Sequence, residues 1–143
     1  MNKSFGSILG LFFAFLLIFA LYYITSPQYV VSSYWHYLST GQYKKAEKLT
    51  INPIFNLKFS IYTPLEEAFF QRTKLEHKET HIYGNKATIT GKMSLPDIAQ
   101  ALDSNQELAV ALQRVPPVQR KYTFELQKTK EGWKINSLTF GGE

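Results

Sequence analysis

VQRKYTFELQKTKEGWKINSLTF, residues 118–140, decides the fold. Tyr122, Phe124 and Leu126 alternate with polar and charged residues, the period of a strand with one buried face. Lys130-Glu131-Gly132 reads as a turn, and Trp133 and Ile135 resume the alternation on a returning strand. Leu138 and Phe140 are out of phase with Trp133 and Ile135, so the spacing predicts a β-bulge near Asn136-Ser137. A second hairpin lies upstream. Residues 75–83 and 86–94 flank Gly84-Asn85, a two-residue turn. Ala87, Ile89, Gly91 and Met93 alternate with Lys86, Thr88, Thr90 and Lys92, which leaves one face wet.

The segments before and between the hairpins are helical. Ser26 is a good N-cap and Pro27 suits a first helical turn. Val30, Val31, Tyr34, Trp35, Tyr37 and Leu38 then recur at three and four, the spacing of one broad buried helix face, and Gly41 supplies a left-handed end. A short helix follows at 42–49, with Tyr43, Ala46 and Leu49 opposite Lys44, Lys45 and Lys48. Residues 50–63 have no clean period. Thr63-Pro64-Leu65-Glu66 reads as a capping box opening a helix over 64–74 that buries Leu65, Ala68 and Phe69. Residues 96–114 return to helical spacing, with Ile98, Ala101, Leu102, Leu108, Ala109 and Leu112 along one side. Asp103-Ser104-Asn105 interrupts that helix, Ser104 with Glu107 caps a fresh start, and Pro116-Pro117 stops it. Helices followed by a mainly antiparallel sheet with a helical insertion make an α+β fold.

Residues 5–24 carry no charge and no proline. A helix of that length spans about 30 Å, the thickness of a bilayer's hydrocarbon core. The run exceeds the apolar stretch of a signal peptide, no A-x-A follows, and Tyr22, Tyr23 and Ile24 stand where small residues are wanted. An uncleaved anchor is therefore favoured over a cleaved signal, which would release a soluble secreted domain. Lys3 precedes the run and the next lysine is Lys44, so the positive-inside rule places residues 1–4 in the cytoplasm, 5–25 in the membrane and the domain 26–143 outside. Gly6 and Gly10 form a G-x-x-x-G that permits helix pairing, one route to a homo-oligomer.

The remaining composition narrows the chemistry. The net charge is +5, mild and scattered, unlike the clustered basic face of a nucleic-acid binder and better suited to anionic lipid head groups. Without cysteine there is no disulfide frame, thiolate metal site or cysteine nucleophile. His77 and His81, read on a strand, share a face but stand about 13 Å apart, too far to hold one metal ion. No phosphate loop and no G-x-S-x-G is present, and no cofactor is expected.

Two stretches resemble a known family. Tyr37-Leu38-Ser39-Thr40-Gly41-Gln42-Tyr43-Lys44-Lys45-Ala46 is similar to the helix, glycine, short helix opening of the nuclear transport factor 2-like (cystatin-like) superfamily. Residues 122–128 and 131–138, with Gly132-Trp133-Lys134-Ile135 at the turn exit, resemble its last two strands. The helical 96–114 departs from the family, which often continues with sheet there. The resemblance implies a curved, cone-like sheet around a long helix, with a pocket between them. Its members include ketosteroid isomerase and scytalone dehydratase relatives. They also include non-catalytic assembly modules, among them membrane-anchored periplasmic domains of bacterial type IV secretion core proteins. The expectation is a non-catalytic binding or assembly module of a bacterial cell envelope. It would meet envelope protein partners through a sheet face or through Ile98, Leu102, Leu108 and Leu112. The alternative is a small-ligand carrier or a lyase- or isomerase-type enzyme with an aromatic cone. Tyr34, His36 and Tyr37 would then stand nearest the ligand, against the plainer reading that they pack or face solvent.

Overall fold

The computed structural model describes residues 3–54 and 64–141; Thr63 of the expected capping box lies outside them. Four helices come first: α1 (Lys3–Ile24), α2 (Pro27–Ser39), α3 (Tyr43–Glu47) and α4 (Pro64–Arg72). The hairpin β1 (Lys74–Tyr83) and β2 (Lys86–Pro96) leads to α5 (Ile98–Leu102) and α6 (Leu108–Arg114), and β3 (Pro117–Thr129) and β4 (Gly132–Gly141) close the chain. The four strands form an antiparallel sheet in the order β1-β2-β3-β4. Residues 49–51 run along β4, with Ile51 N–H donating to the Ile135 carbonyl and Ile135 N–H to the Leu49 carbonyl, both at 2.8 Å.

Alternation decides which face of the sheet is covered. Ala87, Ile89, Gly91 and Met93 of β2, Tyr122, Phe124 and Leu126 of β3, and Trp133 and Ile135 of β4 are buried. The apolar stripe of α2 lies over them, burying Val30, Val31, Tyr34, Trp35 and Leu38. The aromatic rings meet edge to face, Tyr34 on Phe124 with centroids 6.5 Å apart and Trp35 on Phe70 at 5.7 Å. The Trp35 indole N–H donates to the Thr73 carbonyl at 3.3 Å, which satisfies its one polar atom inside the core.

Both outer strands carry a bulge. The register between β3 and β4 shifts after Glu125, opposite Asn136, so that Leu138 faces Phe124 and Phe140 faces Tyr122. This is the bulge expected from the phase change. A second shift, between His77 and Glu79 of β1, was not expected. It places His77 opposite Gly91 on the covered face and His81 opposite Thr88 on the outer face. The two histidines do not share a face, because the extra residue at Lys78 inverts the alternation.

The helices depart from expectation in three places. First, α4 ends at Arg72 and buries Ala68 and Phe70, whereas Leu65 is exposed and Phe69 only partly covered. The reason is that α4 serves two cores: Phe70 packs on Trp35, and Ala68 joins a smaller cluster with Ala101, Ala111, Leu112 and Val115. Second, the helical stretch breaks after Leu102 as expected but does not begin at residue 96. β2 continues to Pro96, which pairs with Pro117, and Asp97 caps α5 by accepting the Gln100 N–H at 3.1 Å. Third, the Ser104–Glu107 cap does not form: the Ser104 hydroxyl donates to the Ala101 carbonyl at 2.8 Å and so ends α5, and α6 starts at Leu108 without a side-chain cap.

Helix α1 stands apart from this packing. Gly6–Ile24 has a mean hydropathy of 2.4 and none of it is buried, so it is long and apolar enough to cross a membrane. Its joint with α2 is two residues long and closed by hydroxyls. Thr25 Oγ1 donates to the Leu21 carbonyl at 2.8 Å, and Ser26 Oγ donates to the Tyr23 carbonyl at 2.6 Å while accepting the Tyr29 N–H at 3.3 Å. One serine thus ends α1 and caps α2, with Pro27 buried at the first helical position.

Candidate functional site

The space between α2 and the sheet, where a cone-shaped pocket was expected, is occupied by the chain's own side chains. Leu38, Ile89, Phe124 and Ile135 are 0% exposed, and Tyr34, Met93, Tyr122 and Leu126 fill in around them. Among the described residues this interior carries no carboxylate. Its aromatic side chains bring polar atoms into it, and burial first, then the Glu47 charge, pushes the Tyr34 hydroxyl above its ordinary range. Burial and then Glu76 push Tyr122 the same way. Both phenols stay neutral at any physiological pH and cannot serve as bases there.

The three aromatic candidates on α2 do not converge. Tyr34 is in the core, at 2% exposed. His36 lies about 200° further round the helix and is exposed. Tyr37 is half-buried with its ring 6.0 Å from His36, and Lys45 Nζ sits 5.7 Å from the Tyr37 centroid. This is the plainer reading of the α2 periodicity, with Tyr34 and Trp35 packed in the core and His36 facing solvent.

The α5–α6 insertion divides differently from its expected single apolar side. Leu112 is a core residue of the smaller cluster at 2% exposed, so it offers a partner little surface. Ile98 and Leu102 are 43% and 64% exposed, and Leu108 is half-buried. Leu65, Phe69, Ile98, Leu108 and Leu112 line an open, apolar groove of about 300 Å³ between α4 and the insertion. Arg72 ties α4 to α6: its guanidinium donates to the carbonyls of Leu112, in α6, and of Val115, its C-cap.

Two further grooves flank the α1–α2 joint, and sequence patterning gave no hint of either. One, of about 430 Å³, lies between Tyr22 and Tyr23 of α1, Val31 of α2, and Leu75, His77 and Tyr122 at the sheet edge. The His77 Nε2 is 2.7 Å from Thr80 Oγ1, and the Tyr122 hydroxyl donates to the Glu76 carbonyl at 3.3 Å. The other, of about 550 Å³, runs between Ile24 and Tyr29 on one wall and Lys128, Lys130 and Trp133 of the β3–β4 turn on the other. Lys134 binds Glu131 at 2.6 Å, and that hydrogen bond, more than its charge, holds Glu131 below the usual carboxylate range. Only helix packing brings these segments together, so residues a hundred positions apart gave no joint signal.

Among the described residues no three histidines, cysteines or carboxylates are grouped to hold a metal ion. Asp97 and Asp103 stand at the two ends of α5 as caps.

No protein-family model and no curated protein sequence matches the chain. Solved structures do. The S. rosetta CaMKII hub aligns with a TM-score of 0.53 at 16% identity, covering 82% of this chain and 98% of the hub. A protein from Shewanella frigidimarina described as a ketosteroid isomerase aligns at 0.51 and 14% identity, covering 78% of this chain and 91% of its own. A dehydratase of the nuclear transport factor 2-like family from Streptomyces avermitilis aligns at 0.43 and 12%, over 78% and 89%. The α+β fold is thus nuclear transport factor 2-like in its helices and antiparallel sheet. At these identities the likeness is one of fold.

Proposed function

We propose that this chain is a membrane-anchored, non-catalytic binding or assembly module on the outer side of a cytoplasmic membrane, working with protein partners of a cell envelope. The observation that carries the reading is the filled interior. Among the described residues Leu38, Ile89, Phe124 and Ile135 fill the space between α2 and the sheet, which supports a binding module over an enzyme with its substrate held there. The surface, in contrast, offers exposed apolar side chains at Ile98 and Leu102 beside an apolar groove. A solved structure named a hub is of the same fold, which is in keeping with assembly and with a homo-oligomer. The apolar, unburied α1 supplies the anchor, and Lys3 sets its cytoplasmic end.

The test is co-purification from detergent-solubilised membranes with the Ile98→Asp/Leu102→Asp double variant. A charge at two exposed positions should remove a specific partner, or a second copy of the chain, while leaving the melting temperature within a few degrees of the parent. Undiminished co-purification would sink this surface as the contact.

One observation favours a second reading, a small-ligand carrier. The groove of about 430 Å³ beside the sheet edge brings His77 and Tyr122 to an apolar wall. A carrier would bind an apolar fluorescent probe there and lose it on Leu75→Asp; equal binding by parent and variant would dismiss the idea.

A further inference from the structure

The groove beside the β3–β4 turn sits at the depth where α1 ends. Its walls include Ile24, the last residue of α1, and Thr25 of the joint. Facing them are Lys128 and Lys130, with Lys128 Nζ 5.9 Å from the centre of the Trp133 ring. The only acid on the turn, Glu131, is held by Lys134 at 2.6 Å. Among the described residues neither Lys128 nor Lys130 has a carboxylate partner. Two cations therefore stand over an apolar wall that is continuous with the exposed surface of α1.

We propose that this groove seats an anionic phospholipid of the leaflet into which α1 emerges. The inference rests on the reading of α1 as a membrane anchor and deepens it. Placed in a bilayer, Ile24 marks the boundary between acyl chains and head groups, so the turn is at head-group level. Lys128 and Lys130 would meet the phosphate, a lysine–phosphate contact strengthened by the low dielectric of the interface. The glycerol and upper acyl carbons would lie on Ile24 and Tyr29, an exposed tyrosine at the interfacial level. A free phosphate would gain only the first of these contacts, which is why a lipid is the occupant. The contact also fixes the domain's tilt, because it adds a second attachment beside the joint at Thr25-Ser26.

The experiment is native mass spectrometry of the full chain in detergent micelles titrated with phosphatidylglycerol, phosphatidylcholine or inorganic phosphate. The parent is expected to retain phosphatidylglycerol at least fivefold more tightly than phosphatidylcholine. Lys128→Gln/Lys130→Gln should abolish that preference and Lys128→Arg/Lys130→Arg should keep it. Lys92→Gln/Lys121→Gln, on the outer face of the sheet, should leave it unchanged. Equal retention of the two lipids, or a preference untouched in Lys128→Gln/Lys130→Gln, would overturn the proposal, as would displacement of the lipid by millimolar phosphate. Alkaline carbonate extraction of the same chain from liposomes reads the anchor separately. A chain that resists extraction but shows no lipid preference defeats the lipid site alone, and a chain that is stripped off defeats the anchor and the site together.

Discussion

At Gly91 an added Cβ would lie 2.0 Å from the Glu76 carbonyl oxygen and 2.6 Å from the Tyr122 hydroxyl. The Tyr122 ring crosses the place where a β2 side chain would stand, and its hydroxyl reaches β1. Gly91→Ala should therefore cost about 1–3 kcal/mol, as overpacking of a rigid core does, read as a lowered urea midpoint; an unchanged midpoint would contradict the packing described. Tyr34 yields a prediction in pH. Its folded-state pKa is raised by burial, so above the ordinary tyrosine range the unfolded chain sheds a proton that the folded chain keeps. The unfolded state then binds fewer protons, and stability falls as pH rises. Its contribution is whole below about pH 10, the ordinary tyrosine value, and declines above it. Thermal melts between pH 9 and 11 should show this loss, and Tyr34→Phe should flatten it. Alternation in β2 made the burial of Gly91 legible, but not the ring that lies over it, since β3 register is a tertiary fact.

Among the elements, phase was legible wherever large apolar residues marked it. Leu138 and Phe140 announced the β4 bulge because both sides of the shift carry bulky side chains. The β1 bulge was silent, because Glu76, His77, Glu79 and His81 are polar on both faces of an edge strand and leave no phase to break. The insertion misled for a related reason. Ile98, Leu102, Leu108 and Leu112 lie along one side of a single helix drawn across the interruption, but two separate short helices do not share one face, and Leu112 went to the core while Leu102 stayed outside. Arg72 is what ties that insertion to α4. Arg72→Met keeps the stem and removes the donors, leaving the Leu112 and Val115 carbonyls without them. The expected loss is about 1–3 kcal/mol. Amide exchange should quicken in α6 and stay slow in β2 and β3; uniform quickening would show that Arg72 supports the whole fold instead.

For the molecule as a whole, the fold was legible from its two ends, the Gly41 break after α2 and the β3–β4 hairpin. Gly41 adopts φ of 73°, with the Gln42 N–H bonded to the Tyr37 carbonyl at 2.8 Å, the left-handed cap that only glycine enters freely. The contents of the cone were not legible. Apolar spacing says that α2 faces the sheet, and only volume and register decide whether the space between them stays open. The joint is the feature on which the account turns. Thr25 and Ser26 bond carbonyls in the last turn of α1 and the Tyr29 amide in the first turn of α2 within two residues, so the domain has no slack chain between it and α1. With α1 as the proposed anchor, a domain so held would work at the membrane surface. Its most direct test is alkaline carbonate extraction of native membranes, with the amino terminus of the recovered chain determined by sequencing. The account predicts an intact chain that retains residues 5–24 and stays with the membrane pellet. A soluble chain beginning near Pro27 would contradict it.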